Sequence, residues 1–328
     1  MNRISLPDLA AQLDLLAQSG GLIAPRHVDD VLLYRPVRGA AEIVWDYIRP
    51  VLSIKEYFFA PTERLLWIEK QGAEVRLTET LPEDKLVIFG VRPCDARGLL
   101  ALDALFLETP PPDPYYARRR ENATLIGLAC EITGPTCFCT RMGGALDDPQ
   151  GMDVMLYQAG EEFGVRVLTT KGQALVKSWG ILADLEPVVP SEVEPKIPGL
   201  DAWPPHFTDA FWQQFSERCL SCRVCSYVCP TCRCFDVRDE AVPAEDGSQV
   251  YERIRCWDAC TGEPYRRVAG GHNSRAEKGT RLRNRFYCKF NYYPEQYGPM
   301  ACTGCGRCVE SCPVNVDITE VLDYIASR

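Results

Sequence analysis

The sequence predicts two domains: an α/β unit over residues 1–195 and a mainly helical unit over 196–328. Three observations carry that reading. In the first half, apolar runs of strand length alternate with runs of helical period. A proline-dense stretch from Glu186 to His206 follows, and Pro187, Pro190, Pro195, Pro198, Pro204 and Pro205 favour an extended connector there. Cysteine usage also changes: residues 1–93 have none, 94–139 have four, 140–218 have none and 219–312 have thirteen.

The first element is an amphipathic helix, with Ser5 as N-cap, Pro7 in the first turn and Gly20 or Gly21 as the stop. Asp8 and Asp14 interrupt its apolar stretch, which excludes a secretory signal core. LLWIEKQGAEVRLTE (65–79) reads as a hairpin. KLVIFGV (85–91) is a buried strand that Pro93 ends, with Asp95 placed to cap the helix DARGLLALDALF. TLIGLA (124–129) is a second buried strand, so strand, helix and strand predict a βαβ unit in a mostly parallel sheet. MLYQAGEEFGVRVLTT (155–170) alternates around a glycine turn and reads as another hairpin. Beyond the connector, 209–218 and 318–327 carry helical spacing, and period-2 patterning is scarce.

Composition narrows the function classes. The 328 residues are 46% apolar and 25% charged, normal for a globular chain with an ample core. A net charge of -9 argues against nucleic-acid binding through bulk charge. No run of about 18 apolar residues occurs, so no membrane span is expected. With 17 cysteines, an odd number, complete disulfide pairing within the chain is impossible. The expected compartment is the cytosol, where thiols stay reduced, and dense cysteine there points to metal.

The cysteines form two arrays. Cys219, Cys222, Cys225 and Cys229, then Pro230, give C-x2-C-x2-C-x3-C-P; Cys302, Cys305, Cys308 and Cys312, then Pro313, repeat it. This is the bacterial ferredoxin run for [4Fe–4S] clusters. Two-residue gaps let a short loop wrap three thiolates around one cluster. The fourth cysteine is expected at the start of a helix-like segment pointing away, so that it ligates the other cluster. The first cluster therefore takes Cys219, Cys222, Cys225 and Cys312, and the second takes Cys302, Cys305, Cys308 and Cys229. Zinc is the competing reading, but its sites usually pair two C-x2-4-C elements without a third cysteine at the next step. The two runs lie far apart, with 73 positions from Cys229 to Cys302, and helices flank them. The predicted fold class is thus an α/β N-terminal domain plus an α-helical ferredoxin-like domain carrying two [4Fe–4S] clusters.

Cys94 and Cys130 follow the two predicted strands, at the carboxyl ends where open α/β sheets gather ligand sites, and TCFC adds Cys137 and Cys139. Four thiols on one edge make a full ligand set for a third [4Fe–4S] cluster; buried structural cysteines are the alternative. Cys232, Cys234, Cys256 and Cys260 stay open between a further metal site, packing and support of the clusters, and Cys288 reads as structural. From Arg253 to Lys289 ten basic residues face only Asp258, Glu263 and Glu277, which is either a solvated face or a field that raises a nearby cluster's potential, docks an acidic partner or binds an anion. Three histidines make a histidine metal site improbable, and no dinucleotide or phosphate loop occurs.

GVRPCDARGLLALDALF, DPYYARRR, the CFC at 137–139, CSYVCPTCRCFDVRDE, RCWDAC and CTGCGRCVESCPVNVDI together resemble the beta subunit of soluble NiFe hydrogenases (sulfhydrogenases), and the corresponding iron–sulfur subunit of anaerobic sulfite reductase is similar. The resemblance implies a cytosolic complex in which such a subunit passes electrons between a flavin subunit handling NAD(P)H and a catalytic subunit. Similar subunits also accompany heterodisulfide-reductase-like modules. Where relatives often carry His within R-x-R-x-x-H-K, this chain has RNRFYCKF, with Cys288. The expected function is an iron–sulfur electron-transfer subunit; the alternative is a sulfite- or sulfur-reducing subunit with its own reactive iron or thiol site.

Overall fold

A computed structural model describes residues 2–189, 193–243 and 249–327. Residues 190–192 of the connector, Pro190 included, lie outside the described residues. In chain order the strands are β1 (Asn2–Ser5), β2 (Leu22–Val28), β3 (Val31–Pro36), β4 (Thr62–Gln71), β5 (Glu74–Glu79), β6 (Leu86–Val91), β7 (Ala123–Leu128), β8 (Val154–Ala159), β9 (Glu162–Val167), β10 (Phe235–Val242) and β11 (Gln249–Trp257). Seven of them form one sheet, ordered β1-β9-β8-β7-β6-β2-β3. Its central strands β2, β6, β7 and β8 pair in parallel, while the edge pairs β2/β3, β8/β9 and β1/β9 are antiparallel. The sheet is therefore mixed rather than mostly parallel, because a hairpin closes each side of the parallel centre.

Alternation along β6 and β7 gives the sheet two buried faces. Phe89 and Ile126 pack with Leu9 and Leu13 of the helix Leu6–Gln18. Ile88 and Leu125 pack with Leu99, Leu102 and Phe106 of the helix Pro93–Phe106. Ser5 caps the first helix as expected, accepting from the Asp8 backbone N–H at 3.2 Å. Asp95 is not a cap: Arg92 occupies that position without a side-chain bond, and Asp95 is spent on an ion pair described below.

The second half holds the helices Phe211–Ser216, Lys278–Tyr287 and Ile318–Ala326 around a core of Trp203, Trp212, Phe286, Phe290 and Leu322. It also holds a hairpin, β10 and β11, that the sequence reading missed. The reason is physical. All but the last residue of β10 is exposed, so FDVRDEAV has no buried face to impose alternation. β11 pairs with β4, giving a four-stranded sheet β10-β11-β4-β5 built from both sides of the proline-dense connector. Arg255 of β11 fixes that junction, donating to Glu63 of β4 at 3.0 Å and pairing with Asp113.

Candidate metal centres

None of the seventeen cysteines is in a disulfide. The first array is a loop running into the short helix Val224–Tyr227, and the second a loop running into Arg307–Glu310. Cys229 and Cys312 therefore come after a short helical turn, not at the start of one as expected. Left-handed backbone lets these loops wrap: Ser221 and Arg223 in the first, Gly304 and Gly306 in the second, all have φ between 55° and 76°. One pocket is lined by Cys219, Cys222 and Cys225 together with Cys312, the crossed set, and Cys308 reaches it too. Cys302, Cys305, Cys308 and Cys229 form a deeper group. Burial raises the Cys308 thiol, Arg285 opposes that, and charge on Cys229, Cys305 and Cys302 adds to it. Cys302 is pushed up to about 11, again mainly by burial. A ligated metal reverses such shifts, since a coordinating thiol is deprotonated outright.

The N-terminal thiols also meet. Cys94 follows β6 and Cys130 follows β7, at the carboxyl ends of adjacent parallel strands. With Cys137 and Cys139 they line one pocket, and Cys305 of the second array lines it as well. Two glycines make this contact possible. A Cβ on Gly304 would lie 2.6 Å from the Cys139 Cα, and one on Gly306 would lie 2.1 Å from the Thr136 carbonyl oxygen. Between Cys305 and Cys308, the guanidinium of Arg307 donates to both oxygens of Asp95 at 2.6 and 2.8 Å and to the Pro50 carbonyl at 2.9 Å. Both partners are buried, so the residue next to Cys94 is locked to the second array. Pro230 lies against the same helix, where a Cβ on Gly98 would come within 2.7 Å of it.

Electrostatics around the arrays is one-sided. Lys55, Arg92, Arg281, Arg285 and Lys289 are buried, and none has a carboxylate partner among the described residues. Buried charges need compensation. Lys289 donates to Cys229 Sγ at 3.2 Å, Thr231 Oγ1 at 3.0 Å and the Ala301 carbonyl at 2.9 Å. Arg285 donates to the Cys225 carbonyl at 3.0 Å and reaches Cys232 Sγ at 3.5 Å. Burial alone would lower both cations; negative charge on Cys229 and Cys232 for Lys289, and on Cys225 and Cys232 for Arg285, holds them above their ordinary values. Lys55 donates to the Cys232 carbonyl at 3.1 Å, and burial lowers it to about 8. The missing countercharge is what thiolate-ligated iron would bring.

Two orphaned hydroxyls fit the same group. Thr261 lines the Cys219–Cys312 pocket and Thr303 sits inside the second array, and the Oγ1 of each is buried without a partner. A cluster's sulfides accept such hydrogen bonds, which help to set its potential. Among the described residues, no three His, Cys, Asp or Glu side chains converge as ligands of a single ion. The sequence reading missed Asp95, Lys55, Thr261 and Thr303; only the basic block, through Arg285 and Lys289, signalled the electrostatic part. No helix among the described residues is long and apolar enough to cross a membrane.

Residues 218–316 match the family described as a 4Fe-4S dicluster domain. Over 329 aligned residues the chain is 35% identical to the Sulfhydrogenase 2 subunit beta of Pyrococcus furiosus, covering 94% of this chain and 93% of that one. No solved structure matches.

Proposed function

Because the chain belongs to the iron–sulfur subunit family of the sulfhydrogenase beta subunit, we propose that it relays electrons in a cytosolic multisubunit oxidoreductase. The relay runs between a flavin subunit that handles NAD(P)H and a catalytic partner such as a hydrogenase or a heterodisulfide-reductase-like module. Two [4Fe–4S] clusters are assigned to the crossed sets, Cys219, Cys222, Cys225 and Cys312, and Cys302, Cys305, Cys308 and Cys229. A third is assigned to Cys94, Cys130, Cys137 and Cys139. Bound clusters would supply one-electron transfer at potentials tuned by charge, hydrogen bonds and exposure.

The observation that carries this reading is contact between the thiol sets. Cys308 lines the pocket of the first set, and Cys305 lines the pocket of the N-terminal set. The second set is thus the buried middle of a continuous path. Its outer end is open: Cys222 is exposed, and Leu220 beside it is 63% exposed, as a docking end requires. The chain's own residues hold the path rigid and offset its charge: Arg307 and Asp95 fix the array against the sheet, and Lys289 and Arg285 face the sulfurs.

The test is anaerobic purification, iron analysis and electron paramagnetic resonance of the reduced chain. The reading expects at least about twelve irons and as many sulfides, with signals from interacting [4Fe–4S] centres. Zinc without iron, or iron that never changes redox state, would end it.

A further inference from the structure

Four cysteines outside these sets line another pocket: Cys232, Cys234, Cys260 and Cys288. The fold assembles them from three places. Cys232 and Cys234 lie on the stretch leading into β10, and Cys260 follows β11. Pairing of Phe235 with Trp257 closes the base of the hairpin, and the Asp258 backbone N–H donates to the Cys234 carbonyl at 2.9 Å. Cys234 and Cys260 are thereby brought into side-chain contact. Cys288 opens a π-helical turn, Cys288–Tyr292, at the end of the helix Lys278–Tyr287. Such turns frequently interrupt helices at functional sites.

The pocket's charge is lopsided in the same way as that of the arrays. Arg233 reaches Cys288 Sγ and Arg285 reaches Cys232 Sγ, each at 3.5 Å. Arg266 and Arg275 stand at the wall, and no carboxylate appears among the described residues that line it. A zinc ion would need its thiolates about 2.3 Å from one point, a convergence found for no three ligands among the described residues.

We propose that Cys232, Cys234, Cys260 and Cys288 ligate a further [4Fe–4S] cluster, seated between the base of the β10–β11 hairpin and the π turn. Cys232 lies in side-chain contact with Cys229, so this site joins the path at its buried middle and makes it branched. The proposal takes its cluster type from the relay reading, but it stands on separate residues and can fail separately.

The experiment uses the full chain, loaded anaerobically with ferrous iron and sulfide. Iodoacetamide labelling followed by peptide mass spectrometry reports which thiols are shielded. The proposal expects Cys232, Cys234, Cys260 and Cys288 to stay unlabelled until the iron is stripped, and the C234S/C260S variant to hold about four fewer irons per chain. Labelling of these four while the eight array cysteines stay protected would overturn it and leave the relay reading intact. Unchanged iron in C234S/C260S, or zinc held by these thiols in the unmutated chain, would also overturn it. The labelling arm needs no variant, so a folding defect in C234S/C260S cannot hide the answer. Labelling of the array cysteines too would overturn both readings.

Discussion

The two arrays and the N-terminal thiols reach the same end, several thiols drawn close together, by different routes. In each array, three thiols come from seven consecutive residues, and left-handed backbone at positions such as Arg223 and Gly306 bends the loop around its own contents. At the N-terminal edge, Cys94 and Cys130 come from the ends of two parallel strands, and Cys137 and Cys139 come from a loop pressed against Gly304. There the protein core places the ligands. The difference teaches that an array takes three of its thiol positions from its own loop backbone, whereas the strand-end set inherits its positions from the sheet.

Single cysteine variants should separate the two most sharply. Cys305→Ser is expected to lose about four irons and to loosen the helical half, read as lost iron together with protease sensitivity around 290–312. Cys137→Ser is expected to lose about four irons as well, yet leave thermal unfolding of the sheet nearly unchanged, because its two cores rest on apolar packing. Equal unfolding in both variants would erase the contrast.

The next largest effect concerns the joint between the regions. Asp95→Asn leaves the Arg307 guanidinium buried without its partner, at a cost of about 3–5 kcal/mol in denaturant unfolding. A loss below about 1 kcal/mol would mean that the joint is held elsewhere. Gly306→Ala forces a side chain into left-handed backbone and toward the Thr136 carbonyl. It should cost about 1–3 kcal/mol from backbone strain. It should also disturb the signal assigned to the N-terminal cluster more than that of Cys219, Cys222, Cys225 and Cys312. The smallest effect is electrostatic: Lys289→Met removes a buried cation from Cys229. Potentiometry should find the second cluster's potential lower by on the order of 60 mV, a tenfold change in a one-electron equilibrium.

What could be read in advance follows the same division. The gathering of Cys219, Cys222 and Cys225 around one pocket was legible because spacing within the array is itself the geometry. The Cys94 and Cys130 positions were legible because KLVIFGV and TLIGLA are continuous apolar runs, the mark of strands buried on both faces. Asp95 misled, since an acidic residue in a helix's first turn looks like a cap; its partner Arg307 lies more than two hundred residues away, and no local pattern encodes that pairing. The β10–β11 hairpin was hidden because both faces of β10 meet solvent. With the hairpin hidden, so was the meeting of Cys234 with Cys260.

Anomalous diffraction at the iron absorption edge, from crystals grown anaerobically, tests the account most directly. It should place a four-iron peak among Cys219, Cys222, Cys225 and Cys312 and a second among Cys302, Cys305, Cys308 and Cys229. Peaks of a single metal atom, or each array closing on a cluster with its own fourth cysteine, would contradict it.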